Sequence, residues 1–269
     1  MNEKHQRTHD YPPLARALLR RITSQHFRDW LVKYFHIRLN NPLAGAIFTL
    51  KGCIYETAGL SFVIPRCLTK LGFRSRFYYD VYEEPERKLL KTHLRGDDTV
   101  LELGGCIGVV SVVANTQLLD KEKHVVVEPN PELIPWLSLN RDRNGAAFTI
   151  EHCLLADAGT SADFFLHPLI VGGSADRSTE RKTRVAVRSL SEMIHRYGHF
   201  TTLVMDIEGG EVRFVMENIE RVALMRLLLI EEHPAITGAE AIAKMHDVLK
   251  KAGFTLVERM QQSVVWVKG

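Results

Sequence analysis

The sequence TVLELGGCIG at residues 99–108 decides the fold of this 269-residue chain. An apolar, β-rich run at residues 99–103 leads into a turn that holds three glycines, and an apolar helical stretch follows. Glycine allows a positive φ and lets a ligand approach the main chain without meeting a Cβ atom. A strand, a glycine turn and a helix in this order therefore predict a cradle for a nucleotide-like ligand.

The same alternation of short strands and helices continues to the C-terminus. Strands are predicted at residues 99–103, 124–127, 148–150, 202–206 and 227–230. After a helix near residues 238–251, the runs 254–259 and 264–267 face each other across a short turn and predict a hairpin. Strands that alternate with helices indicate βαβ units. The predicted fold class is therefore α/β, with a Rossmann-like, mostly parallel sheet and a C-terminal antiparallel hairpin.

Residues 1–80 are interpreted as a mainly helical N-terminal extension, and residues 81–269 as the ligand-binding domain. Pro12 and Pro13 suit a helix start, and apolar residues then recur at helical spacing. The formal net charge is +3, yet residues 1–40 hold eight Lys or Arg against three Asp or Glu. Such a basic segment is either a solvated face or a contact for an anionic partner. A peripheral membrane contact is left open, and a nucleic-acid partner is not expected.

The cysteines and the N-terminus indicate the compartment. Four cysteines, at positions 53, 67, 106 and 153, form no C-x-x-C pair, which argues against a zinc ribbon and a dense disulfide framework. The polar N-terminus lacks a signal-peptide pattern, and no apolar run is long enough to span a bilayer. We therefore expect a cytoplasmic protein.

One stretch of the chain has no clear period. Residues 167–184 are rich in Gly, Ser, Arg and Lys, and they predict a long mobile loop. Loops of this length inside a compact domain are commonly functional lids or disordered connections. The sequence leaves open whether this one is a lid over a negatively charged substrate or a solvated connection.

An acidic residue, Glu128, follows the second predicted strand, about 20 residues after the glycine turn. In nucleotide-binding sheets an acid at this place accepts hydrogen bonds from ribose hydroxyls. The dinucleotide fingerprint G-x-G-x-x-G requires a glycine where this chain has Cys106, so a nicotinamide cofactor is weakened as an alternative but not excluded. The spacing predicts an adenosine-containing ligand in either case.

A second group of polar residues follows the fourth and fifth predicted strands, at the edge where open α/β sheets bind ligands. Asp206, Glu208 and Glu211 fall within six residues, which suggests a site that removes a proton or holds a metal ion. Asp206 and Glu208 are expected nearest the ligand, whereas Glu211 suits a cap of the following helix. His233 is a candidate general base, and a purely structural role for it is equally open.

Taken in order, these blocks resemble the FkbM-type methyltransferases, a family of class I S-adenosylmethionine-dependent enzymes that methylate mostly hydroxyl groups of sugars and natural products. The family's D-x-G-A-N-x-G motif is similar to ELGGCIG at residues 102–108, and its E-P-N-P motif matches residues 128–131. Its K-x-D-V-E-G-x-E block is matched in part by residues 205–211, and its E-x-H-like segment by residues 231–233. The resemblance covers the chain from about residue 82 to the C-terminus.

The first motif departs from the family at three positions. Glu102, Gly105 and Cys106 stand where the family has Asp, Ala and Asn. Contacts to the methionine end of the cofactor are therefore not assumed to be unchanged, and the loss of the Asn removes a hydrogen-bonding group. The resemblance implies S-adenosylmethionine as cofactor, a small-molecule or glycan acceptor, and methyl transfer to a hydroxyl oxygen.

The expected cofactor residues follow from the motifs and the strand ends. They are Glu102, Leu103, Gly104, Gly105, Ile107 and Gly108 around the methionine moiety, Glu128 at the ribose with Pro129 and Asn130 beside it, Asp157 at the adenine amine, and Asp206. The expected catalytic residues are Asp206, Glu208 and His233. Asp206 or His233 would take the hydroxyl proton, and Glu208 would orient the acceptor or help to hold a divalent ion.

Two other functions remain open from the sequence. The first is an NAD-dependent oxidoreductase built on the same kind of sheet. The second is a non-enzymatic module that binds an anionic polymer or a membrane through its basic N-terminus. Calorimetry with each cofactor, and removal of the basic segment, separate these alternatives from a methyltransferase.

Overall fold

The structure is a computed structural model that describes residues 40–157, 159–166 and 181–269. The helices predicted within residues 1–39 and all but the last four residues of the predicted loop, residues 167–180, lie outside the described residues. No helix in the described segments is long and apolar enough to cross a membrane.

The first described residues form a small unit of two helices and a hairpin. These elements are α1 (Pro42–Leu50), β1 (Ile54–Thr57), β2 (Leu60–Val63) and α2 (Ser75–Tyr78). Asn41 caps α1 by accepting hydrogen bonds from the amides of Leu43 and Ala44. The hairpin was not predicted. Its two turn residues, Ala58 and Gly59, both have positive φ, which matches a two-residue turn of type I′.

The remaining elements follow in chain order. They are α3 (Glu84–His93), β3 (Val100–Leu103), α4 (Val109–Asn115), β4 (His124–Val127), α5 (Ile134–Arg143), β5 (Thr149–Glu151), β6 (Leu154–Leu155), β7 (Ser161–Phe165), β8 (Lys182–Arg188), α6 (Leu190–Tyr197), β9 (Thr202–Met205), α7 (Glu211–Val222), β10 (Leu227–Glu231), α8 (Pro234–Thr237), α9 (Ala239–Lys251), β11 (Phe254–Met260) and β12 (Ser263–Lys268).

A seven-stranded sheet carries the fold, in the order β11-β12-β10-β9-β3-β4-β5. The five strands from β10 to β5 run parallel, whereas β12 pairs antiparallel with both β10 and β11. This confirms the predicted mostly parallel, Rossmann-like sheet with a C-terminal antiparallel hairpin. All residues of β3, β4 and β9 are buried, as expected of strands covered on both faces. The carboxyl ends of the central parallel strands therefore meet at one edge of the sheet.

A second, smaller sheet corrects the end of the loop predicted over residues 167–184. Residues 182–184 belong to β8, which pairs antiparallel with β7 and parallel with β6. Along β8 the side chains alternate, so that Val185 and Val187 are buried while Lys182 and Ala186 are exposed. Lys182 and Arg184 were interpreted as loop residues, but they lie on the solvent face of a half-buried strand.

Candidate functional site

The glycine turn lies between the carboxyl ends of β3 and β9. Gly104 has a φ of +92°, and a Cβ atom on it would lie 1.9 Å from the carbonyl oxygen of Asp206. A Cβ on Gly105 would lie 2.4 Å from a methyl group of Val126, and one on Gly108 would lie 2.9 Å from Leu137. The sequence analysis expected glycine here because a ligand needs the space. The structure gives a second reason, since a Cβ atom at these positions would meet neighbouring atoms of the protein itself.

Glu128 joins the end of β4 to this turn. Its side chain is buried, its Oε2 accepts a hydrogen bond from the amide of Cys106 at 2.8 Å, and its Oε1 accepts one from the amide of Asn130 at 2.7 Å. Burial raises the pKa of Glu128 to about 7, although the two amide hydrogen bonds act in the opposite direction. The carboxylate thus fixes the turn and keeps further lone pairs for a ligand.

Glu102 has protein partners of its own. Its Oε1 accepts a hydrogen bond from the hydroxyl of Ser111 at 2.6 Å, and its Oε2 lies 3.0 Å from Nε2 of His124. All three residues are buried. Through these contacts Glu102 connects β3 to α4 and β4, so its carboxylate stabilises the glycine turn that follows β3.

The other expected cofactor residues are spread around this edge. Leu103 and Gly104 line a crevice beside Asp206. The side chain of Ile107 is fully buried, and its carbonyl accepts a hydrogen bond from Asn140. Pro129 and Asn130 follow Glu128 in the turn after β4, where Asn130 is buried and accepts a hydrogen bond from the amide of Glu132. Asp157 is exposed beyond β6.

The acidic group after β9 gathers around His233. Nδ1 of His233 lies 3.0 Å from Oε1 of Glu211, and Nε2 lies 3.6 Å from Asp206 and 3.7 Å from Glu208. Glu211, the first residue of α7, also accepts hydrogen bonds from the amides of Ile207 and Gly209, both at 3.1 Å. Both amides precede α7, and the helix has no side-chain cap hydrogen bond, so Glu211 holds the preceding loop and favours the helix start only through its charge. The structure thus brings together the three expected catalytic residues.

Burial and neighbouring charges set the pKa values of His233 and Asp206. Burial lowers the pKa of His233, but its hydrogen bond to Glu211 and the charges of Asp206 and Glu208 outweigh burial and raise that pKa to about 9. Burial and the nearby Glu208 raise the pKa of Asp206 to about 7. At neutral pH His233 therefore carries a proton, and Asp206 is readily protonated and deprotonated.

The same group has the composition of a site for a divalent cation. Asp206, Glu211 and His233 each offer one ligand atom, and these atoms lie within 4.8 Å of one another. Oδ1 of Asp206 and Oε2 of Glu211 are buried and have no hydrogen-bond partner among the described residues. Two carboxylates and an imidazole suit several divalent metal ions.

The sequence analysis missed two residues of the crevice. Glu83 and Glu86, at the start of α3, line it together with Glu102 and Asp206. Acidic residues at a helix start are ordinarily interpreted as favourable to the helix dipole, so no pattern in the sequence indicates that these two lie near the strand ends. The crevice is narrow, with room for about one water molecule, so a larger ligand requires its side chains to move.

A family model matches much of this chain. Residues 102–256, more than half of the chain, match the family described as the methyltransferase FkbM domain. No curated protein sequence matches.

Solved structures with a similar arrangement include three methyl-transfer or RNA-processing proteins. A precorrin-6y C5,15-methyltransferase from Geobacter metallireducens GS-15 is 11% identical, with a TM-score of 0.45, and the match covers 77% of this chain and 94% of that chain. A ribosomal protein L11 methylase from Lactobacillus delbrueckii subsp. bulgaricus is 11% identical, with a TM-score of 0.40 and coverage of 68% and 78%. A fibrillarin pre-rRNA processing protein from Methanococcus jannaschii is 12% identical, with a TM-score of 0.38 and coverage of 64% and 66%.

Proposed function

The chain belongs to the FkbM methyltransferase family and is an S-adenosylmethionine-dependent methyltransferase, and from this premise we propose that it methylates a hydroxyl group of a sugar, a glycan or a natural product. The observation that carries the proposal is the contact between Gly104 and Asp206. Because of this contact, a cofactor held by the glycine turn presents its reactive end to the acidic group after β9.

The residues around the turn suit an adenosine linked to an amino acid. Glu128 is buried beside the turn with lone pairs left for the two ribose hydroxyls. Bound S-adenosylmethionine supplies an activated methyl group on a sulfonium. The protein's task is then to align an acceptor oxygen with that group, exclude water and accept the hydroxyl proton.

Asp206 is the better candidate for the base. Its Oδ1 is buried, lies 3.6 Å from Nε2 of His233 and accepts no hydrogen bond among the described residues, so it has a lone pair for the acceptor's proton. His233 lies among three carboxylates and is protonated at neutral pH. In this proposal His233 orients Asp206 and balances its charge, while Glu208 contacts the acceptor.

The proposal also includes a divalent ion bound at the acidic group around His233. Asp206, Glu211 and His233 would hold it after His233 has lost its proton, because a coordinating imidazole is neutral, and the ion would polarise the acceptor hydroxyl. Removing bound metal with a chelator and then titrating Mn²⁺ into the protein tests this point. One bound Mn²⁺ per chain, lost on substitution of His233 by Ala, supports the ion, whereas no Mn²⁺ binding removes it from the proposal.

Calorimetry and an acceptor panel test the function. We expect S-adenosylmethionine and S-adenosylhomocysteine to bind and NAD not to bind. Methyl transfer from labelled cofactor should then be measured with sugar and polyol hydroxyls, amines and RNA as acceptors. Labelling of a hydroxyl compound supports O-methylation, and labelling confined to amines or RNA contradicts it. A chain that binds no adenosine cofactor, but binds anionic vesicles through residues 1–40, would instead be the non-enzymatic module.

A further inference from the structure

Charge is divided unevenly between the first 79 residues and the rest of the chain. Residues 1–79 hold 13 Lys or Arg against four Asp or Glu, whereas residues 80–269 hold 22 against 28. The described part of the first segment, residues 40–79, contains five basic residues and one acid, Glu56. The small unit of α1, β1, β2 and α2 is therefore positively charged, and the larger part that follows is negatively charged. Such an asymmetry turns one side of a protein towards an anionic partner.

Helix α1 of the small unit has an exposed apolar face. Leu43 and Leu50 are separated by about two helical turns and so lie on the same side of the helix. They are 72% and 87% exposed, and Ile47 between them is half-buried. These three residues form the leucine face of α1. A stripe of large aliphatic side chains on the outside of a helix indicates a contact with an apolar partner.

The opposite side of α1 fixes the orientation of the helix. Phe48 is buried, and its ring stacks on that of Phe77 with 5.7 Å between the centroids. Gly45 packs so closely that a Cβ atom on it would lie 1.7 Å from the carbonyl oxygen of Leu71. Because these contacts set the rotation of α1 about its axis, they keep the leucine face directed outward.

Basic side chains border the leucine face. Lys51 is exposed and directly follows α1. Arg66 is also exposed, and it donates a hydrogen bond at 2.6 Å to the carbonyl of Thr49 in the last turn of the helix. Lys70 is exposed beside Leu71, whose backbone carbonyl packs against α1. Exposed aliphatic side chains bordered by lysine and arginine are typical of helices that lie in the interface of an anionic membrane.

Charge discriminates between the partners that could cover the leucine face. A second copy would bring two positively charged units together, and residues 1–39 of the same chain carry a net positive charge of their own, so like charges oppose both partners. A nucleic acid would neutralise the basic residues, but it is bound mainly through its phosphates and by stacking on aromatic side chains, which leaves the leucines without a partner. An anionic membrane satisfies the basic residues and the leucines together.

We propose that the leucine face and the basic residues beside it bind the surface of an anionic membrane. Leu43 and Leu50 enter the boundary between headgroups and acyl chains, while Lys51, Arg66 and Lys70 approach the anionic groups of the lipids. The basic residues 1–39 strengthen the attraction, because they join α1 directly in the chain. The membrane repels the negatively charged remainder, so the protein binds in one orientation. This contact does not depend on which acceptor the enzyme methylates.

Vesicle cosedimentation with the full chain tests the proposal. Vesicles of phosphatidylcholine alone are compared with vesicles of equal parts phosphatidylcholine and phosphatidylserine. We expect binding to the mixed vesicles that weakens as salt is added, and little binding to phosphatidylcholine alone. The double variant Leu43→Ser with Leu50→Ser should lose vesicle affinity by about tenfold or more, because both leucines leave water on binding. Lys51→Gln with Lys70→Gln should weaken binding to the mixed vesicles by about tenfold or more.

A second pair of leucines provides the matched control. Leu119 and Leu224 are 86% and 71% exposed, close to the values for Leu50 and Leu43, but they lie outside the basic unit. Leu119→Ser with Leu224→Ser should therefore keep vesicle affinity within about twofold. Urea unfolding of each variant confirms that it is folded, which is expected because all four leucines are exposed.

Several results would overturn the proposal. Vesicle affinity that is unchanged by Leu43→Ser with Leu50→Ser would show that the leucine face is not the contact, and equal binding to both kinds of vesicle would show that charge plays no part. Binding to neither kind contradicts the proposal outright. In that case a dimer that the serine pair dissociates, seen by sedimentation equilibrium, would assign the face to a second copy. Binding of a single-stranded RNA oligonucleotide would assign the basic residues to a nucleic acid.

Discussion

At the scale of single residues, carboxylates near one another differ because their surroundings differ. Glu102 is held by a hydroxyl and an imidazole, Glu128 by two backbone amides, and Oδ1 of Asp206 by no hydrogen-bond partner among the described residues. A carboxylate that accepts a hydrogen bond on each oxygen stabilises the structure around it, whereas one with a buried oxygen that accepts no hydrogen bond is suited to accept a proton. The surroundings thus decide which acid does chemistry.

Replacing Asp206 by Asn tests the base. We expect kcat to fall about 100-fold or more, because an amide cannot accept the hydroxyl proton. The Kd of S-adenosylmethionine should change little, since the contact between residue 206 and the glycine turn is made by its backbone. Steady-state kinetics with the acceptor found in the panel, beside calorimetry, provide the measurement. Asp247→Asn, on the exposed face of α9, is the control, and an unchanged kcat for Asp206→Asn would move the base elsewhere.

The buried Glu128 predicts how cofactor affinity depends on pH. Its pKa in the free protein is about 7, and hydrogen bonds from ribose hydroxyls favour the charged form and lower that pKa in the complex. Binding then requires loss of a proton at low pH, so affinity falls as the pH falls. Between pH 8 and pH 6 we expect the Kd of S-adenosylhomocysteine to rise about tenfold.

A variant isolates the contribution of Glu128. Glu128→Gln has no proton to lose in this range, so its weaker binding should be less dependent on pH than that of the unaltered protein. Calorimetry at pH 6, 7 and 8 on both proteins measures the difference. Equal slopes would show that another group is responsible for the pH dependence.

At the scale of elements, the glycine turn packs against the ends of neighbouring strands of the large sheet. Gly104 donates its amide to the carbonyl of Val127 at 2.9 Å, and its Cα side faces the carbonyl of Asp206. The turn therefore joins the ends of β3, β4 and β9. Its shape sets the distance between the proposed cofactor site and the proposed base.

Substituting Gly104 by Ala tests how much this packing contact contributes to stability. The new Cβ would lie 1.9 Å from a carbonyl oxygen, and the residue would keep a φ of +92°. We expect a loss of about 3 kcal/mol or more of unfolding free energy, from the clash and the strained φ together. Gly52→Ala is a matched control, because Gly52 has a φ of +91° but nothing within 4 Å of its Cβ position. It should lose only about 1 kcal/mol. Urea unfolding measures both, and equal losses would mean that the packing contact contributes nothing.

At the scale of the whole molecule, opposite charges are separated along the chain. The excess of positive charge lies in residues 1–40, which leaves the rest of the chain slightly negative. The charged residues that line the crevice, by contrast, are all acids, and all its lining residues lie between Glu83 and Leu229. The proposed catalytic site therefore depends on parts of the chain other than the basic segment.

Removing residues 1–39 tests this separation. The Kd of S-adenosylhomocysteine should stay within about threefold, because every residue that lines the crevice remains. Cosedimentation with phosphatidylserine vesicles, run beside calorimetry, reports whether the basic segment contacts an anionic surface. Loss of cofactor binding in a truncated protein that still unfolds cooperatively would show that the segment contributes to the site.

The sequence by itself determined the sheet and the identity of its edge residues. Local patterns suffice for this, because a buried parallel strand needs a short apolar run and a turn of positive φ needs glycine. The predicted strands at residues 124–127 and 227–230 coincide with β4 and β10 to within one residue, and Asp206, Glu208 and His233 do gather at one edge. The sequence analysis did not predict the hairpin β1–β2, whose turn lacks the usual Asn-Gly or Asp-Gly pair. It also missed the strand β8, whose charged residues are equally typical of a loop.

The tertiary structure alone decided what those residues face. Burial raises the pKa of Asp206 to about 7 together with the charge of its near neighbour Glu208, whereas the pKa of His233 rises to about 9 through acids more than 20 residues away in sequence. Long-range packing also brought Glu83, from the start of α3, to the crevice between β3 and β9. A pattern of neighbours along a chain fixes an element and its faces, whereas electrostatic interactions act through space and depend on which elements fold together.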